Sequence, residues 1–170
     1  MEQWRAASDD LAFALRREAE LIDMLTAYSR EKEQCLLASD AGGLKGVLEE
    51  EEVVVLALRG QEKRRDVAAL ALARAAGLPG GAVPLSALLA GLGGAPGSQA
   101  LSDAGQALTG AVSRLRRQNK KVGALLNHQL GYAEYMLRLL CVPRGEAQLY
   151  DMQGNREEKK SPAGRLDYHA

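Results

Sequence analysis

Aromatic residues are scarce in this chain of 170 residues: one Phe, one Trp and five Tyr. β-Branched residues are scarce as well, with nine Val, two Thr and one Ile against 28 Leu. Strands draw on both groups, so a β-rich fold is excluded and an all-α fold is expected. There is no excess of charge of either sign, because 22 Lys and Arg balance 22 Asp and Glu. That removes the non-specific electrostatic pull of a typical nucleic-acid binder. The two cysteines, Cys35 and Cys141, form no C-x-x-C pair. A cysteine zinc site is thereby excluded, and the spacing fits a reducing compartment. Residues 75–102 carry no charge, yet seven Gly and three Pro interrupt them. No spanning helix of ~20 residues fits there, and no direct membrane insertion is expected. At the start, Asp9 and Asp10 cut off any apolar run after Met1-Glu2-Gln3-Trp4-Arg5, so no secretory signal is expected.

The parts of an enzyme are missing too. Only His128 and His169 are present, with no Glu-x-x-His pair and no His-Glu-x-x-His. There is no Gly-x-x-x-x-Gly-Lys-Ser/Thr loop, and no strand precedes Gly91-Leu92-Gly93-Gly94 to make it a dinucleotide turn. No catalytic residue, no metal site and no cofactor are assigned. His128 reads as a packed or surface histidine, since a metal site needs several convergent ligands.

What is present is helical periodicity in three long segments. Leu11, Leu15, Ile22, Leu25, Tyr28 and Leu36 share one face of a helix near 4–38. Asp40-Ala41-Gly42-Gly43 breaks the pattern. Leu44, Val47, Leu48, Val54, Val55, Leu58, Ala69 and Leu72 then stripe a second helix near 44–76. The short link predicts an antiparallel hairpin. A Gly/Pro-rich connection over 77–101 has room for a short helix at Pro84–Ala90. Ser102 or Asp103 is expected to cap a third long helix over 102–141, striped by Leu108, Val112, Leu115, Val122, Leu126, Leu130, Ala133, Leu137 and Leu140. Forty residues at ~1.5 Å each make a rod of roughly 60 Å. The expected architecture is an elongated antiparallel bundle of three long helices with coiled-coil-like packing over 1–141. Residues 142–170 carry no stripe and are expected to form a flexible C-terminal tail. An apolar island, Leu149, Tyr150 and Met152, lies within that tail.

Two patches stand out. Arg114-Leu115-Arg116-Arg117-Gln118-Asn119-Lys120-Lys121 is the densest basic run, and Glu49–Glu52 supplies the opposite sign; both read as solvated, paired helix faces. The second patch is apolar. Tyr132, Tyr135, Met136 and Leu139 do not fit one narrow stripe with Leu130, Ala133, Leu137 and Leu140. A helix this apolar is either covered on both sides or offers a face to a partner, and Tyr and Met suit binding surfaces.

The order of elements, with two short motifs, resembles the FlgN-type flagellar export chaperones. One motif is Asp40-Ala41-Gly42-Gly43-Leu44-Lys45-Gly46-Val47-Leu48-Glu49-Glu50-Glu51, with Arg65 further along. The other is Leu149-Tyr150-Asp151-Met152-Gln153-Gly154. The resemblance implies a cytoplasmic, non-enzymatic type III secretion chaperone. Its partners would be the hook–filament junction proteins and the flagellar export gate, and no nucleic acid. By the same resemblance the client-binding residues would be Tyr132, Tyr135, Met136, Leu139 and Leu140, with Leu149, Tyr150, Asp151, Met152 and Gly154 in the tail. The competing classes are a structural coiled-coil adaptor and a helical nucleic-acid-binding accessory protein using Arg114–Lys121.

Overall fold

Ser39 ends the first helix in the left-handed region, at φ 55°. The Asp40 amide donates to the Cys35 carbonyl at 2.9 Å and the Ser39 amide to that of Leu36 at 3.2 Å. This pair of bonds satisfies carbonyls that a helix end leaves open. Asp40 then starts the next helix, its carboxylate accepting from the Gly43 amide at 2.9 Å. The break is therefore Ala38-Ser39-Asp40, and Gly42 and Gly43 belong to the first turn that follows. A Cβ at Gly43 would press on the Asp40 carboxylate, so a side chain there would displace the cap.

The computed structural model describes residues 2–78, 83–95 and 97–141. Regular structure among them is entirely helical: α1 (Glu2–Leu37), α2 (Ala41–Ala75), α3 (Leu85–Leu92) and α4 (Ser98–Cys141). α2 ends as α1 does, with Gly77 at φ 67° and the Leu78 amide reaching the Ala73 carbonyl. The Pro84 carbonyl accepts the first bonds of α3, from Ala87 and Leu88. α4 begins at Ser98, four residues before the expected start, because the Gly97 carbonyl already accepts from the Leu101 amide. Ser102 and Asp103 lie inside the helix, where Asp103 accepts from Gln99 one turn earlier.

The chain divides into two units, the second beginning at Leu130. In the first unit, Leu11, Ala12 and Leu15 of α1 meet Leu72 and Ala73 of α2, Leu88 and Leu92 of α3, and Leu101 and Ala104 of α4. Leu72, Leu88 and Leu101 are essentially inaccessible. Each such leucine contributes about 1.5–3 kcal/mol of transfer free energy. Further along α1, Leu21 and Leu25 pack on Val54, and Ala19 and Ile22 on Ala111. Positions rise along α1 as they fall along α2, so these two helices are antiparallel as expected. They rise together along α1 and α4, which are parallel.

Polar bonds fix the register. Ser29 donates to Asn119 at 2.7 Å, Gln118 to Glu33, and Gln129 to the Leu36 carbonyl. Buried Gln61 donates to the Ala14 carbonyl at 3.1 Å. Gly105 sits where α3 crosses α4, and a Cβ there would overlap the Leu85 side chain.

One part of the expected stripe is not buried. Leu108, Val112, Leu115 and Val122 are half-buried or buried, whereas Leu126, Leu130, Ala133, Leu137 and Leu140 are exposed. In the second unit the described residues, 130–141, form a single helical segment with no second element of that unit beside it. A lone segment cannot bury a stripe.

Candidate functional site

The predicted surface on α4 is exposed throughout. Tyr132 is 61% accessible, Tyr135 58%, Met136 37%, Leu139 54% and Leu140 77%. At ~100° per residue, Leu130, Ala133, Leu137 and Leu140 form one strip and Tyr132, Tyr135 and Leu139 a second, with Met136 between them. The two strips merge into an apolar arc of roughly 220°. Glu134 and Arg138 occupy what remains. An arc this wide is broader than the single stripe a helix needs for packing on one partner helix. The structure thus brings five of the predicted residues together on one helical segment. Leu149, Tyr150, Asp151, Met152 and Gly154 lie outside the described residues.

Both charge runs form ion pairs with α1. Arg114 is held by Asp23 of α1, with contacts of 2.8 and 2.9 Å to its two carboxylate oxygens. Glu51 of the acidic run pairs with Lys32 of α1 at 2.7 Å, both side chains largely buried. Each run thus has a partner on α1. Arg116, Arg117, Lys120 and Lys121 face solvent, as does His128.

Arg65, singled out with the first motif, holds α2 to α1. Its Nη1 donates to Glu18 Oε1 at 2.7 Å. Glu18 is 4% accessible. Burial raises its carboxyl above the ordinary value, and nearby Glu62 and Asp66 add to the rise while Arg65 opposes it. Beside this pair, Leu11, Leu15, Leu70 and Leu88 line a cleft of about 440 Å³, with Arg65 and Asp66 also in its wall. Neither the buried ion pair nor the cleft leaves a local signal in the sequence: Glu18 and Arg65 are 47 positions apart and meet only through the hairpin.

Among the described residues no group of three His, Cys, Asp or Glu is placed to hold a metal ion. No described helix is long and apolar enough to cross a membrane. Cys35 is a free, half-buried thiol, and the side chain of Cys141 lies outside the described residues.

The fold is an all-α bundle, and its candidate site is an exposed apolar helix segment. A model of the family described as FlgN protein matches residues 1–158, and the chain belongs to that family. FlgN proteins are flagellar export chaperones, which makes a role in flagellar assembly the function of this chain at the family level. No curated protein and no solved structure matches it.

Proposed function

We propose that this protein is a cytoplasmic chaperone of flagellar type III secretion that binds hook–filament junction proteins, keeps them soluble and delivers them to the export gate. It acts by binding, without catalysis. The observation that carries this reading is the exposed apolar arc of Tyr132, Tyr135, Met136, Leu139 and Leu140. Contiguous apolar surface of this kind marks a site for a partner. Amphipathic terminal helices of the clients would otherwise self-associate, and pairing them with an apolar helix face hides them until export. Leu149, Tyr150, Asp151, Met152 and Gly154, in the tail 142–170, extend the same client site.

The test is calorimetry with a peptide spanning a client's terminal amphipathic helix. Deleting residues from Leu149 onward leaves the bundle folded and weakens binding. Tyr150→Ala costs about 2 kcal/mol, roughly thirtyfold in affinity, if the tail touches the client. If the tail addresses the export gate instead, client affinity stays constant and secretion of the client falls. No response of either kind removes the tail from the chaperone's function.

A further inference from the structure

α2 is apolar on two opposite faces. Val54, Leu58, Gln61, Ala68, Ala69 and Leu72 face the core. On the other side Val53, Leu56, Val67 and Leu70 are 67%, 59%, 68% and 37% accessible. With Gly60 and Lys63, also exposed, they follow one another at steps of three, four, three, four and three. That is the a/d spacing of a coiled-coil seam, with Val at two a positions and Leu at two d positions. The seam runs from Val53 to Leu70, roughly 27 Å of helix. The core-facing face uses other positions of the same heptads, and of the four apolar seam residues Leu70 alone also borders the cleft beside Arg65.

We propose that this seam is the interface of a homodimer, in which α2 packs antiparallel against α2 of a second copy of the chain. Size and charge both select this partner and this direction. Turned about a two-fold axis between Gln61 and Glu62, the layers become Val53 on Leu70, Leu56 on Val67 and Gly60 on Lys63. The largest side chain of the seam then lies over the residue that has none, and no atom stands within 4 Å of where a Cβ of Gly60 would be. Flanking the seam, Arg59 of one copy meets Asp66 of the other, twice in each dimer. Asp66 receives its own neighbour Arg65 through Oδ1 alone, leaving Oδ2 for the incoming guanidinium. A parallel pairing instead stacks Lys63 on Lys63, leaves a gap between two Gly60 residues, and sets Arg59 against Arg64. An isologous contact of this kind closes on itself at two copies.

This inference concerns a face of the first unit and does not rest on the client site. Sedimentation equilibrium of the full chain tests it without any client. Association from 18.2 kDa monomer to dimer is expected as concentration rises. Leu56→Glu weakens it at least tenfold and leaves the helical content unchanged, because Leu56 is exposed. Arg59→Asp also weakens it, and the double reversal Arg59→Asp with Asp66→Arg restores it. Direction is read with a short bismaleimide on a Cys35→Ser, Cys141→Ser background. A mixture of Leu56→Cys and Val67→Cys chains cross-links, and Leu56→Cys chains alone do not. A monomer at every concentration overturns the proposal. So does a dimer indifferent to Leu56→Glu, or cross-linking of Leu56→Cys with itself.

Discussion

Arg65 reaches across the α1–α2 hairpin to one oxygen of Glu18 and leaves the other, Oε2, buried with no hydrogen-bond partner. A buried carboxylate satisfied on one side is more easily protonated than one in water, which is the direction of the shift at Glu18. A carboxyl raised in the folded state binds its proton more readily there than in the unfolded chain. Its contribution to stability therefore grows as pH falls through the raised folded value, and is lost as pH rises through that value. Glu18→Gln is expected to flatten this part of the stability–pH profile, and urea titrations at a series of pH values measure it. A variant with the wild-type slope would show that Glu18 titrates as it does in the unfolded chain.

Removing the cation is expected to be worse than removing the acid. Arg65→Ala leaves Glu18 buried beside Glu62 and Asp66 with no positive neighbour from α2, a loss of about 3 kcal/mol. Adding Glu18→Gln to Arg65→Ala is expected to recover most of that loss. Chemical denaturation of the two single variants and the double variant reads the coupling directly.

Ser39 carries backbone strain that a glycine would relieve. Left-handed φ costs an L-residue about 1 kcal/mol, part of which glycine returns as extra freedom in the unfolded chain. Ser39→Gly is thus expected to stabilise by a few tenths to ~1 kcal/mol, raising Tm by up to about 4 °C. The neighbouring change Asp40→Ala removes the α2 cap and is expected to cost ~1 kcal/mol. Differential scanning calorimetry separates the opposite signs.

How far the structure could be read from the sequence follows from which forces are local. The 3.6-residue spacing of Leu11, Leu15, Ile22 and Leu25 is a local signal, and all four are in the core. Turn chemistry misled at the first link, because Gly42-Gly43 looked like the helix end whereas Ser39 takes the left-handed position. The start of α4 departs from the pattern for a similar reason: Ser102 and Asp103 are good caps, but Gly97 supplies the first acceptor. Periodicity also cannot distinguish a buried stripe from an exposed one. Leu130, Leu137 and Leu140 continue the spacing of Leu108 and Leu115 yet face solvent. For the same reason periodicity does not mark out the outer face of α2, since Val53, Leu56, Val67 and Leu70 are interleaved with the buried set. The candidate residues on α4 were legible because two apolar strips on one helix exceed what a single packing face uses. Glu18 and Arg65 were not, because their pairing depends on the register of the hairpin.

The account turns on whether the exposed arc of α4 receives the client. Titrating the full chain with a junction protein's terminal helical segment in a calorimeter, and repeating this with Tyr135→Ala, tests that most directly. Tyr135 is 58% accessible, so its loss is expected to leave Tm unchanged while client affinity falls about thirtyfold. Wild-type affinity in Tyr135→Ala and again in Met136→Ala, with both proteins folded, would contradict the assignment of this surface to the client.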